Sequence, residues 1–128
     1  MLKGLFGGSL LAALSACGPA EFRITMAELS SSGQSGTATV RDFGDHFTVD
    51  IQITPHSVED GPQLIHIHPN RCGNILAPIL SLESLVEGRS FTTVEGSFSD
   101  YRGADHAING HLSSDPSVYV SCGNIPRL

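Results

Sequence analysis

The sequence contains no tryptophan, and lysine occurs once, at Lys3. Charged residues make up 16% of the 128 residues, and the formal net charge is −6. Binding to the phosphate backbone of DNA or RNA relies on clustered lysine and arginine, so an acidic chain nearly free of lysine is not expected to bind nucleic acid. The hydrophobic content of 40% is that of a folded protein and is sufficient for one domain with one core.

A long apolar run is also missing. The run near the start, residues 5–14, is far shorter than the ~20 residues that a membrane-spanning helix needs. Lys3 precedes it and small residues follow it, which predicts an export signal over residues 1–16. Its end, the four residues LSAC finishing at Cys17, resembles the lipobox of bacterial lipoproteins. That resemblance implies cleavage before Cys17, lipid on Cys17 and a tether over residues 17–20. The alternative is a plain secretory signal with an unmodified cysteine.

The residue after Cys17 bears on location. Gly18 stands there, so the aspartate that retains enterobacterial lipoproteins at the inner membrane is missing. We therefore expect a protein held at the cell envelope by lipid on Cys17, on the periplasmic or extracellular face. The outer membrane is favoured where the cell has one. The membrane, contacted through this lipid, is the expected partner.

Apolar and polar residues alternate in short segments along the rest of the chain. The clearest case is 46–54, where Phe47, Val49, Ile51 and Ile53 are separated by polar residues. Strands are predicted at 21–29, 37–43, 46–54, 64–68, 90–98, 106–112 and 117–125, with a short one within 72–85. Seven to eight short strands without helical periodicity predict an all-β domain over residues 21–128, an antiparallel sandwich or barrel.

Two histidines, His66 and His68, lie in the predicted strand 64–68. Side chains alternate between the two faces of a strand, so both imidazoles point to one face while Ile65 and Ile67 point to the other. Two imidazoles on one face can share a metal ion. The alternative is a pair of half-exposed strand histidines that are hydrogen-bonded to loop carbonyls.

Cys72 and Cys122 remain as a pair if Cys17 carries lipid. An exported chain folds in an oxidising compartment, where a disulfide between these two cysteines is the expected state. The bond closes a loop of about 50 residues, which the chain-entropy treatment values at roughly 4 kcal/mol. Thiolate ligands for a soft metal are the alternative, although the sequence has no Cys-x-x-Cys spacing.

Three features in this order resemble the Cu/Zn superoxide dismutase superfamily: the pair His66 and His68, then Cys72 in the following loop, then His111 followed by the segment YVSCG around Cys122. The resemblance covers almost the whole chain after the leader and implies a Greek-key β-barrel. It also implies that His66, His68 and His111 bind copper and that Cys72 and Cys122 form a disulfide. The chain further resembles a divergent exported branch with this core and, more loosely, CHRD-type domains.

The sequence departs from that family at two places. No histidine occurs between Cys72 and His106, where the dismutases carry the histidine that bridges copper and zinc together with other zinc ligands, so no zinc site is expected. Tyr119 stands three residues before Cys122, where the family has an arginine that orients the superoxide anion. An acidic net charge does not replace that arginine. Arg71 is either bonded to a loop carbonyl or a weak attractor of anions.

The other histidines are secondary candidates. A fourth copper ligand is either water or His106, which reaches the face of His111 only if a bulge at Gly110 shifts the strand register. His46 begins a predicted strand and His56 follows a proline, and both are expected at the surface.

These observations support three hypotheses. The first is an exported, lipid-anchored copper-binding domain of superoxide dismutase-like fold that handles or buffers copper at the cell envelope. The second is a copper-only superoxide dismutase, so enzymatic activity stays an open question. The third is a structural or interaction domain of the envelope without metal. Copper is the expected cofactor in the first two hypotheses, and zinc in none.

Overall fold

The computed structural model describes residues 18–55 and 62–128, which contain antiparallel strands and no α-helix. The eight strands are β1 Ala20–Glu28, β2 Ser35–Asp42, β3 His46–Thr54, β4 Ile65–Pro69, β5 Leu80–Ser81, β6 Arg89–Glu95, β7 His106–His111 and β8 Tyr119–Asn124. The all-β prediction is confirmed. The predicted export signal, Cys17 and His56 lie outside the described residues. Within the described ranges, no helix is both long and apolar enough to cross a membrane.

One predicted strand ends early. The prediction extends it to residue 98, but β6 stops at Glu95 because Gly96 adopts a positive φ of 100° and turns the chain. A short 3-10 helix, Phe98–Tyr101, follows, and the Ser97 hydroxyl caps it by accepting a hydrogen bond from the backbone N–H of Ser99. Phe98, the last residue of the predicted strand, is therefore helical.

The strands form one curled sheet in the order β5-β4-β7-β8-β1-β2-β3-β6. The sheet curls at β1, which belongs to both halves: residues 20–26 pair with β2, whereas Ala27 and Glu28 pair with β8. β3 lies beside β6 and β4 beside β7, so three connections cross between the halves in the Greek-key manner: β3 to β4, β5 to β6 and β6 to β7. Between β5 and β6, the Ser90 hydroxyl donates to the carbonyl of Glu83 at 2.6 Å and links the two edges.

The hydrophobic core lies between the two halves of the curled sheet. The alternating residues of β3, namely Phe47, Val49, Ile51 and Ile53, are buried in it as predicted. Phe98 of the 3-10 helix packs on Phe47 with ring centroids 5.3 Å apart. The strong alternation of β3 therefore reflects one solvent-facing side and one core-facing side.

The outer face of β4 and β7 carries the predicted histidines. His66 pairs with Asn109, and His68 pairs with Ala107. Residues paired directly across two strands share a face, and His111 follows Asn109 by two positions, so all of these side chains point outward. The isoleucines that alternate with His66 and His68 are buried in the core, as predicted.

Loop 70–79 covers this outer face. The Cys72–Cys122 disulfide joins the loop to β8, which confirms the predicted disulfide and excludes these cysteines as thiolate ligands. The backbone N–H of Cys72 also donates to the side chain of Asn124 at 2.8 Å, and that of Leu76 donates to Pro69 at 3.0 Å. The loop is therefore fixed to β8 at Cys72 and to β4 at Leu76.

Substituting Gly123 with alanine is expected to lower the free energy of unfolding by about 1–3 kcal/mol, the usual cost of overpacking. A Cβ at this position would lie 2.6 Å from the carbonyl oxygen of Thr25 and 2.7 Å from Cγ2 of Ile24, where β1 approaches β8. Urea denaturation measures the change. Gly103→Ala is the matched control, because nothing lies within 4 Å of a Cβ there. Equal effects of the two substitutions would contradict the close approach of the strands.

Candidate metal centre

Three histidines from two strands converge on the outer face. The ring centroids are 4.9 Å apart for His66 and His111, 5.6 Å for His66 and His68, and 5.8 Å for His68 and His111. Each ring offers one nitrogen, and these nitrogens lie within 4.8 Å of one another. The structure therefore brings together the three predicted ligands in a group that can hold a metal ion.

Backbone carbonyls fix the orientation of two of these rings. Nδ1 of His68 donates to the carbonyl of Leu76 at 2.7 Å, and Nδ1 of His111 donates to the carbonyl of Pro116 at 2.7 Å. A carbonyl oxygen only accepts, so both Nδ1 atoms carry the proton and both Nε2 atoms keep a lone pair when the rings are neutral. Such bonds to the second ring nitrogen are usual for metal-ligating histidines, because they orient the ring and fix its tautomer.

The remaining nitrogens face one another. Nε2 of His111 lies 3.0 Å from Nδ1 of His66, and because the former accepts, the latter donates. Nε2 of His68 is buried and has no hydrogen-bond partner among the described residues. Two nitrogens that each bind a shared ion at about 2.0–2.1 Å lie roughly 3–4 Å apart. The separation of the His66 and His111 nitrogens is at the lower end of this range, and His68 contributes a nitrogen within 4.8 Å of the others. The group can therefore hold a metal ion through Nδ1 of His66 and Nε2 of the other two, once the ion displaces the proton between His66 and His111.

Burial favours the neutral form of two of the rings, His66 and His111. Burial is the main cause that lowers the pKa of His66, followed by the charges of His111 and His68. Burial also lowers the pKa of His111, against an opposing effect of the Pro116 carbonyl and with a further contribution from His68. Histidine must be neutral to bind a metal, so the lowered pKa of both rings extends the pH range in which the group can ligate.

The stability of the metal-free protein is expected to fall as the pH drops below about 6.5, the ordinary histidine pKa. His66 and His111 have a lower pKa folded than unfolded, so below 6.5 the unfolded chain takes up protons that the folded chain does not. The free energy of unfolding therefore rises with pH through this window and gains nothing further from these groups above it. Urea midpoints between pH 5 and pH 8 measure the slope.

His66→Gln is expected to make that slope shallower, and His106→Gln serves as the control histidine outside the group. Asp45 and Asp115, which also have a lowered pKa through bonds to His46 and Ser117, titrate below about pH 4 and leave this window unaffected. A slope that is unchanged in His66→Gln, or one of opposite sign, would contradict the neutral state of the ring.

His106 does not join the group. Its Nδ1 donates to the carbonyl of Ala104 at 3.1 Å, and its ring packs on Tyr101. The register does shift between Gly110 and His111, but the extra residue is in β8, so the shift does not turn His106 toward the other histidines. Of the two alternatives for a fourth ligand, water and His106, the structure therefore excludes His106.

The other predicted residues lie around the group or away from it. Tyr119 is 38% exposed and its ring is 5.2 Å from that of His111, so it borders the histidines. Arg71 lies 3.9 Å from a carboxylate oxygen of Asp105, an ion pair at the surface. His46 stacks on Phe43 in a partly exposed position, as expected of a surface histidine.

Four features of the site are not identified as such by the sequence. The carbonyls of Leu76 and Pro116 are backbone groups, which every residue type carries. Asn109 is completely buried beside His66, and the alternating pattern of β7 indicates its face but not its role. The bulge at Val120 places Tyr119 opposite His111, and only the pairing of β7 with β8 reveals it.

Comparison with protein-family models, curated proteins and solved structures found no significant match for the chain. The resemblance to the superoxide dismutase superfamily therefore rests on the sequence around His66, His68, Cys72, His111 and Cys122. What the structure shows is a group of three histidines that can hold a metal ion, on a β-sheet whose covering loop is fixed by a disulfide.

Proposed function

We propose that this chain is an exported, lipid-anchored protein that binds copper through His66, His68 and His111 and handles or buffers it at the cell envelope. The convergence of three imidazoles, two of them with the ring oriented by a backbone carbonyl, is the observation that carries this proposal. Imidazole suits copper, and sites with nitrogen ligands bind Cu²⁺ most tightly among the first-row divalent metals. Bound copper would supply one-electron chemistry between Cu(II) and Cu(I).

Membership of the superoxide dismutase-like superfamily is part of the proposal. Its support is the order of the motifs in the sequence, the Greek-key strand order, and the disulfide between the loop after His68 and the last strand. The absence of histidine between Cys72 and His106 argues against a zinc site. Tyr119 in place of an arginine removes a cation that would attract superoxide, which favours copper handling over turnover.

The envelope location rests on the leader and on the cysteines. The lipobox-like end of the leader provides Cys17 for lipid, and the residues up to β1 provide a short tether. The Cys72–Cys122 disulfide supports export, since disulfides persist mainly in oxidising compartments. Lipid on Cys17 would keep the domain at a membrane surface without a spanning helix.

Copper-only superoxide dismutation is the second candidate. His66 is partly exposed, whereas His68 and His111 are buried, so one side of the histidine group is accessible from solvent. A small anion can reach an ion held there. The substrate would have to arrive without the guiding arginine, so we expect turnover slower than that of an electrostatically steered enzyme.

The test is the metal content of the full chain after exposure to equimolar Cu(II) and Zn(II), measured by mass spectrometry. We expect one copper per chain and no zinc. Retention of zinc, or no metal at all, would overturn the copper assignment, and the second result would leave a structural domain of the envelope. Superoxide consumption by the copper-loaded chain then separates the two copper hypotheses, with His66→Ala/His68→Ala as the inactive reference. A mass corresponding to acylated Cys17 tests the anchor.

A further inference from the structure

Unpartnered polar atoms concentrate next to the histidine group. In the described chain, four buried side-chain atoms lack a hydrogen-bond partner: His68 Nε2, Asn109 Nδ2, Asn109 Oδ1 and Ser121 Oγ. Three of them are on the outer face of β4 and β7. Buried polar groups without partners are rare in folded proteins, and an ion is one of the usual reasons for them. Metal binding would explain why Nε2 of His68 has no hydrogen-bond partner among the described residues, but binding by the histidines alone does not explain the unpartnered carboxamide of Asn109.

Asn109 lies beside the histidine group in the strand register. It is the direct register partner of His66, and it precedes His111 by two residues on the same face of β7. Directly paired residues have Cβ atoms about 4.5–5.5 Å apart, so the carboxamide stands beside the His66 ring. The partner of His68 is Ala107, whose small side chain leaves room between Asn109 and His68. The Asn109 residue is 0% exposed, with His66 as its register partner on β4 and Cys122 as its register partner on β8.

On the basis of the proposed copper site, we propose that Oδ1 of Asn109 is the fourth ligand, so that Cu(II) is held by three imidazole nitrogens and one amide oxygen. The carboxamide has an acceptor oxygen and an NH₂ group that only donates, so the oxygen is the atom that can ligate. Mixed nitrogen and oxygen ligands in a tetragonal arrangement suit Cu(II). Asn109 would occupy the fourth coordination position, which His106 does not reach.

The opposite side of Asn109 has space for its NH₂ group. Asn109, Ile75 and Tyr119 are among the residues that line a cavity of about 140 Å³ between loop 70–79 and the sheet. A cavity of this volume has room for water, which can accept from the amide hydrogens while the oxygen faces the histidines. Both halves of the buried carboxamide are then satisfied, which the metal-free arrangement among the described residues does not achieve.

The test compares Asn109→Leu and Asn109→Asp with the unaltered full chain. Leucine removes the oxygen, so we expect Cu(II) to bind about tenfold more weakly while Cu(I), which prefers imidazole to oxygen, binds as before. A tenfold loss for Cu(II) alone raises the one-electron potential by about 59 mV. Aspartate supplies a charged oxygen, so we expect tighter Cu(II) binding and a lower potential. Chelator competition and voltammetry measure the two quantities.

Asn74→Leu, on another wall of the same cavity, is the control and should change neither quantity. Unchanged Cu(II) affinity and potential in both Asn109 variants would overturn the assignment. So would equal weakening in both variants together with a lower melting temperature, because a purely structural asparagine predicts the same sign for leucine and aspartate. Should Asn109→Leu not fold, the sign of the shift in Asn109→Asp decides. Absence of copper from the unaltered chain would instead overturn the proposed function itself.

Discussion

The double variant His68→Ala/His111→Ala is expected to bind Cu(II) more than about 100-fold more weakly than the unaltered chain. Loss of a group that merely orients a ligand already costs about 10–100-fold in metal affinity, and this variant removes two ligands. The two imidazoles are also those whose Nε2 lone pairs are fixed by carbonyl bonds, so the variant removes the preorganised part of the site. Competition with a chromophoric chelator at pH 7 measures the affinity.

His46→Ala/His106→Ala is the matched control, since it removes the same number of imidazoles from residues that bond to Asp45 and Ala104 instead of to the group. We expect its Cu(II) affinity to match that of the unaltered chain. Equal losses in the two double variants would mean that copper binds histidines unspecifically. Far-ultraviolet circular dichroism of each variant shows that the sheet is retained, because His68 and His111 are nearly buried and alanine leaves small cavities there.

The strands were predictable because one face of each is buried. β3 shows this most clearly: the predicted bounds 46–54 and the buried residues agree with the structure. β5 is the opposite case, since its two residues, Leu80 and Ser81, are strand only through pairing with β4. A strand of two residues shows no alternating pattern, so the sequence placed it within 72–85 without indicating where it begins and ends. The order of the strands in the sheet is likewise not indicated by any local pattern, because it depends on which segments distant in the sequence pair with each other.

The same division applies to the site. His66 and His68 were predictable as a pair because the period of a strand puts them on one face. His111 came from the family resemblance, because the pairing of β4 with β7 leaves no trace in either segment alone. The orientation of the His68 ring was not predictable, since it comes from the backbone carbonyl of Leu76, a group that every residue type carries. The role proposed for Asn109 is indicated only by its burial and by the absence of hydrogen-bond partners for its side chain among the described residues.

Removing the disulfide with Cys72→Ala/Cys122→Ala is expected to lower the free energy of unfolding by about 4 kcal/mol, the chain-entropy value for a closed loop of about 50 residues. The separation of the two cysteines is 50 residues. Urea denaturation of the variant beside the unaltered chain measures the loss. Both alanines are small, so the variant adds no crowding at the junction of loop 70–79 with β8. A loss below about 1 kcal/mol would show that the unfolded chain gains little freedom from the missing bond.

The same variant tests whether the disulfide supports the metal centre. Cys72 fixes the loop that places the Leu76 carbonyl 2.7 Å from Nδ1 of His68, so a released loop should let that ring change orientation and tautomer. We expect Cu(II) affinity about 10–100-fold lower, the cost of losing a bond to the second nitrogen of a ligating histidine. Copper affinity is measured at a temperature below the unfolding midpoint of the variant, so that a lower affinity does not result from global unfolding.

Asn124→Ala, which removes only the 2.8 Å bond to the N–H of Cys72, should give a smaller loss of copper affinity, because the disulfide still fixes the loop. Unaltered copper affinity in the alanine pair would mean that the Leu76 bond survives without the disulfide, and that the loop is fixed by its backbone bonds to β4 alone.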